Sequence, residues 1–118
     1  MGDTSKAVSK TDNKAVAKQL TPADYVHLHN HTQFSLLDGL TKIPELIDFV
    51  SEEGMSAVGM TDHGTLSGTI EFYKAAKEKD IKPIIGIETY VAARRHTDKD
   101  PAKDKNRYHL ILLAMNEV

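Results

Sequence analysis

The sequence has 118 residues, 40% hydrophobic and 27% charged, with a formal net charge of -2 and no cysteine. This is room for one soluble domain with a modest core. It excludes a disulfide framework and any thiolate metal site, and it gives no overall electrostatic drive toward nucleic acid or anionic membrane.

Residues 1–24 are rich in Lys, Ser, Thr, Asp and Ala and hold too few apolar side chains for a core, so a flexible leader is expected. Lys10, Lys14 and Lys18 recur every fourth residue, which leaves a short basic helix as the alternative there. No apolar run approaches the roughly 20 residues of a membrane span. The N-terminus also lacks the apolar stretch of a secretory signal, so the cytoplasm is the expected location.

From Tyr25 to Thr32 the pattern predicts a short strand. Ile43, Leu46, Ile47 and Val50 fall at helical spacing in a helix expected over 43–53 and stopped by Gly54. Ser56 to Thr61 reads as a buried strand. Leu66 to Lys79 reads as a helix with Ile70, Tyr73 and Lys77 on neighbouring turns and Glu71, Lys74 and Glu78 on its polar face. Pro83 to Val91 is a further strand, 93–107 a charged loop, and Tyr108 to Met115 a last apolar strand. Strands alternating with helices predict a parallel sheet or a β/α barrel. Four strands and two helices are too few to close one, so a truncated barrel, the first part of a longer α/β protein, is expected over 25–118.

The chemistry collects at strand ends. His27, His29 and His31 alternate along the first strand and so share a face, where two imidazoles can converge on one divalent ion. Thr61-Asp62-His63-Gly64 lies where a strand becomes a loop, the end at which β/α barrels do their chemistry. Asp62 there can accept a hydrogen bond from His63 or from a neighbouring ligand. Glu88 interrupts an apolar strand and needs a partner to be buried. His109 sits in the apolar run YHLILLAM, and Asp38 precedes Gly39 in a turn. A mixed imidazole and carboxylate set suits zinc, manganese or iron rather than calcium. Several such ions together polarise a phosphate oxygen and acidify a water, so metal-assisted phosphoester hydrolysis is the favoured reaction.

The segments HLHNHTQFSLLDG, AVGMTDHGTLSGTIEFYKAAKEKDIKPIIGIETYVA and YHLILLAMN resemble the opening of the polymerase-and-histidinol-phosphatase (PHP) domain of bacterial DNA polymerase III alpha subunits. The resemblance covers residues 25–116. His-x-His and TDHG point to the superfamily, whereas SLLDG, EFYKAAKE, IKPIIG and E-x-YVA resemble the polymerase branch. It implies a distorted β/α barrel of the PHP type carrying up to three divalent metal ions, zinc or manganese. His29, His31, Asp38, His63, Glu88 and His109 match its ligand positions, and His27 stands where many relatives have Asp. The family completes its centre with a further histidine and a late Asp-x-His motif that lie beyond these residues. The parent would be a DNA-directed DNA polymerase of replication, with the PHP centre as a phosphoesterase or 3′–5′ exonuclease. Its partners would be DNA and other replisome subunits, with no membrane. Two alternatives stay open: a small-molecule phosphatase of the histidinol-phosphatase type, and a metal-binding module without catalysis. The loop 94–107 holds six Lys or Arg against three Asp, a candidate for phosphate-backbone contact as well as a plain solvated loop.

Overall fold

The computed structural model describes residues 19–116. Residues 1–18, and with them the basic-helix alternative, lie outside the described residues. Two helices pack on one side of a sheet: α1 (Ile43–Glu52), β1 (Ala57–Met60), α2 (Thr69–Glu78), β2 (Lys82–Ala92) and β3 (Arg107–Leu113), with strand order β1-β2-β3. A 3-10 turn at Pro22–Asp24 precedes them.

The core follows from the helical spacing in α1. Ile43, Leu46, Ile47 and Val50 are all buried, and they pack with Met55, Val58, Met60, Phe72, Ala76 and Ile81. The first orphan amide of α1 is satisfied by a side chain, since the Ile43 N–H donates to Gln33 Oε1 at 3.0 Å. Gly54, with φ +70, ends the helix in the left-handed conformation that glycine tolerates. In α2 the expected face is rotated. Phe72 and Ala76 are buried, while Ile70 and Tyr73 are exposed. The ring of Phe72 buries more apolar surface than Ile70 would, and with Ala76 at i+4 it sets which stripe faces the sheet.

The sheet is mixed rather than parallel. β1 and β2 pair in parallel, Ala57 with Lys82 through Met60 with Ile85. β2 and β3 are antiparallel, Gly86 with Leu113 through Ala92 with Arg107. The reason lies in the connection: residues 93–106 form no helix of the kind that usually carries a chain back across the sheet for a parallel return, so β3 returns antiparallel beside β2. β2 therefore serves two partners, its first part beside β1 and its second beside β3.

The segment expected as the first strand runs beside β1 without becoming a regular strand. Gly59 N–H donates to His27 O at 2.6 Å and Thr61 N–H to Asn30 O at 2.9 Å, so a two-residue step on β1 spans a three-residue step on the segment. The Asn30 amide fills the gap by donating to Gly59 O at 3.0 Å. The approach is close: a Cβ on Gly59 would lie 2.9 Å from the Leu28 carbonyl oxygen, so only glycine admits the segment here.

Candidate metal centre

Five parts of the chain deliver side chains to one place. The segment beside β1 brings His29 and His31, the turn after it Asp38, the end of β1 His63, and the two antiparallel strands Glu88 and His109. The backbone of His63 is tied to that of Glu88 directly, with Glu88 N–H donating to Asp62 O at 3.1 Å and Gly64 N–H to Glu88 O at 2.8 Å.

Glu88 is the hub, only 4% exposed. Its Oε2 accepts from His29 Nε2 at 2.8 Å and from His31 Nε2 at 2.6 Å, and its Oε1 from His109 Nδ1 at 2.5 Å. Burial pushes the carboxyl up, and the hydrogen bonds from His29, His31 and His109 outweigh it, holding the group down at about 2. Asp38 is the second carboxylate, with Oδ2 at 2.6 Å from His31 Nδ1 and 3.2 Å from His63 Nδ1. The imidazoles form a continuous row, with ring centroids 5.2 Å apart for His29 and His31, 5.8 Å for His31 and His63, and 4.7 Å for His63 and His109.

Two observations test whether these residues fit a cation. The buried Nε2 of His63 has no hydrogen-bond partner among the described residues, which is costly for a polar atom without a ligand. His31 presents both ring nitrogens to carboxylates, and a neutral imidazole has only one N–H to give, so the second contact asks for a proton or a metal ion. Ligand atoms of His29, His31 and Glu88 lie within 4.8 Å of one another, as do those of His63, Glu88 and His109. Glu88 belongs to both triads. The donor set fits divalent metal.

All six residues singled out as ligands, His29, His31, Asp38, His63, Glu88 and His109, thus meet in one cluster. Asp62 does something other than orient an imidazole. Fully buried, it accepts from Thr32 N–H at 2.6 Å, Thr32 Oγ1 at 2.8 Å and Ser35 Oγ at 3.1 Å, while Ser35 Oγ accepts the His63 N–H at 2.7 Å. It fixes the turn that carries Asp38. His27 turns away and packs edge-on against Tyr25 at 4.7 Å. Sequence reasoning missed Tyr90, whose ring lies 4.8 Å from His63 and 5.2 Å from His109. Its signal was available, because Tyr90 is two residues beyond Glu88 on the same strand face. An open cavity of about 330 Å³ adjoins His63, lined by Phe34, Leu36, Thr65 and Ser67.

Among known proteins, DNA polymerase III subunit alpha of Aquifex aeolicus is 51% identical over 100 residues, covering 80% of this chain and 9% of that protein. The subunit of the same name from Campylobacter jejuni is 45% identical over 96 residues, covering 81% of this chain and 8% of its own length. The chain therefore spans less than a tenth of these polymerase subunits, 9% and 8% respectively. Of solved structures, an amidohydrolase from Chromobacterium violaceum superimposes with a TM-score of 0.58 at 27% identity, over 75% of this chain and 27% of that one. The PHP domain family matches residues 27–118, the whole of the segment that builds the cluster, and the chain belongs to that family.

Proposed function

We propose that this chain is the N-terminal part of the PHP domain of a replicative DNA polymerase III alpha subunit, and that the cluster is part of a multinuclear metal centre for phosphoester hydrolysis. The observation that carries the reading is Glu88, one buried carboxylate shared by three imidazoles with a fourth, His63, left with an unsatisfied nitrogen beside it. Identity of 51% to a polymerase subunit favours the replicative parent over a small-molecule phosphatase of the histidinol-phosphatase type. The mixed three-stranded sheet with two helices on one side is read as the opening of the family's distorted barrel, whose remaining strands would come from the rest of the parent. In that protein DNA and other replisome subunits would be the partners, the cytoplasm the location, and 3′–5′ exonuclease action the activity. Among the described residues no helix is long and apolar enough to cross a membrane.

His29, His31, Asp38, His63, Glu88 and His109 would hold the ions, zinc or manganese by donor type. When bound, divalent cations supply Lewis-acid activation of the phosphoester and of the attacking water. The chain's own contribution is placement. Glu88 gathers His29, His31 and His109 around one carboxylate, Asp38 orients His31 and His63, and the Asp62–Thr32–Ser35 bonds hold the turn. The cavity beside His63 leaves room for an organic group next to the centre.

The test is metal content and cleavage in the parent protein. Replacing His29 and His31 together with alanine is expected to remove bound zinc or manganese, measured by elemental analysis, and with it metal-dependent cleavage of a phosphodiester. Retained metal and unchanged cleavage would sink the ligand assignment. Reading the coding frame past Val118 tests the parentage independently, since a polymerase parent requires the missing Asp-x-His motif and a palm domain downstream.

A further inference from the structure

Tyr90 and Arg107 stand beside the cluster without entering it. In the antiparallel register Glu88 faces Ile111, Tyr90 faces His109 and Ala92 faces Arg107. Side chains alternate along a strand, so Glu88, Tyr90, His109 and Arg107 share one face of the β2–β3 pair. Arg107 follows His109 on that face by one strand repeat, about 7 Å. Its guanidinium carbon lies 5.4 Å from the centroid of the Tyr90 ring. A cation at this distance is attracted to the ring face while its N–H groups stay free to donate.

The chain has three arginines, and they are used differently. Arg94 donates to Asp104 through Nε and Nη2, and Arg95 pairs with Asp98 at 3.3 Å. Arg107 makes no ion pair among the described residues. It is exposed, carries its positive charge next to a cluster of metal-ligand type, and is oriented by an aromatic ring that itself packs on two of the imidazoles. An arginine beside a ring face and without a carboxylate partner among the described residues can offer two parallel N–H groups to an oxyanion.

We propose that Arg107, braced by Tyr90, binds the phosphate oxygens of the substrate at the edge of the centre. This rests on the reading of the cluster as a metal centre acting on phosphoesters, and it deepens that reading by naming the residue that holds the anion. Tyr90 acts through Arg107 as a positioning residue. Arg107 is two residues from His109, so its guanidinium reaches an anion at the imidazole row without competing for the metal positions.

The experiment measures two bindings on the full chain by calorimetry, Mn²⁺ first and then inorganic phosphate to the Mn²⁺-saturated protein. Arg107→Ala is expected to keep the Mn²⁺ stoichiometry and affinity and to weaken phosphate binding by about tenfold or more, the scale of a lost charge-assisted bidentate contact. Arg107→Lys restores part of it, because an ammonium keeps the charge but not the fork. Tyr90→Ala weakens phosphate binding toward the Arg107→Ala level, and Tyr90→Phe, which keeps the ring face, binds as the unaltered chain does. Wild-type phosphate affinity in Arg107→Ala with Mn²⁺ binding intact overturns the arginine assignment and leaves the metal reading standing. Wild-type phosphate affinity in Tyr90→Ala overturns the bracing role. A chain that takes up no Mn²⁺ overturns the metal reading and this inference together.

Discussion

The cluster around Glu88 and the loop between β2 and β3 are both knots of opposite charge with contacts of similar length, and they rest on different physics. In the loop Arg94 meets Asp104 through two bonds of 2.7 Å, with Asp98 at 3.7 Å and the Asp100 N–H on Asp104 at 2.6 Å. The hydrogen bond from Arg94 holds the Asp104 carboxyl below its ordinary value, helped by the Asp100 amide, and Asp104 in turn raises Arg94. Those charges stay in contact with water, where attraction is weak and screened within a Debye length of about 8 Å at physiological salt. Glu88 is cut off from water, so its desolvation is large and its imidazole partners must outweigh it. Distance alone does not rank the two sites; burial does.

The sharpest way to break the comparison is Glu88→Gln. The amide keeps the shape but loses the charge that three imidazoles address, so metal affinity is expected to fall by more than the roughly 10–100-fold typical of an outer partner, as read by Mn²⁺ or Zn²⁺ titration. The same variant sharpens the pH argument in the metal-free chain. The Glu88 carboxyl is lower in the folded state than its ordinary 4.5, at about 2. A depressed carboxyl contributes stability that is fully present above the ordinary value and lost as pH falls toward the folded one. Denaturant midpoints of the wild type and Glu88→Gln should therefore differ by a constant amount above about pH 4.5 and converge as pH falls toward 2. A gap that widens on acidification would refute the assignment of the shift to folded-state hydrogen bonds.

An intermediate effect is expected one layer out. Asp62→Asn turns an amide N–H₂ toward the donors of Thr32 and Ser35, leaving at least one buried polar group without a partner, at about 1–3 kcal/mol. The turn carrying Asp38 loosens with it, and metal affinity should drop about tenfold, the low end for an outer partner. A midpoint and an affinity both unchanged would show that Asp38 is held by something other than the Asp62 network.

The parts of the fold and of the cluster differ in how far they were legible in the sequence. The α1 stripe, the buried β1 run and the ligand-type residues could be read directly, because helical spacing, continuous apolarity and a carboxylate inside an apolar strand are each local signals. The role of Asp62 could not, since its partners Thr32 and Ser35 lie about 30 residues away and become neighbours only when the His29–His31 segment docks on β1. The irregular course of that segment was hidden for the same reason: its pairing is set by the Asn30 side chain and the space at Gly59 rather than by its own alternation. The rotation of α2 was masked by three apolar or amphipathic residues, Ile70, Tyr73 and Lys77, on the outward face, where a single Phe72 decided the inward one. The antiparallel β3 followed from a loop whose lack of helix was foreseen but whose topological consequence was not drawn.

The smallest effect belongs to the loop, and it tests the other half of the comparison. A count of six cations against three acids makes residues 94–107 read as basic. Arg94 and Arg95 are occupied by Asp98 and Asp104, however, and Lys103 lies 3.5 Å from Asp100. The surplus left outside these contacts, Lys99 and Lys105 with Arg107 on Tyr90, equals the three that the sequence count gives, and it excludes the two arginines that open the loop. Arg94→Ala should then leave metal affinity as it is and move the unfolding midpoint barely at all, less still in high salt, because an exposed pair gains little over solvated charges. It should also free Asp104, while Arg95 still holds Asp98, and leave five cations against three acids in the loop, so any attraction of the chain for a polyanion such as heparin should weaken slightly. A large loss of stability in Arg94→Ala would mean that the two 2.7 Å bonds fold the loop against β2 and β3, and that burial is not what separates the two sites.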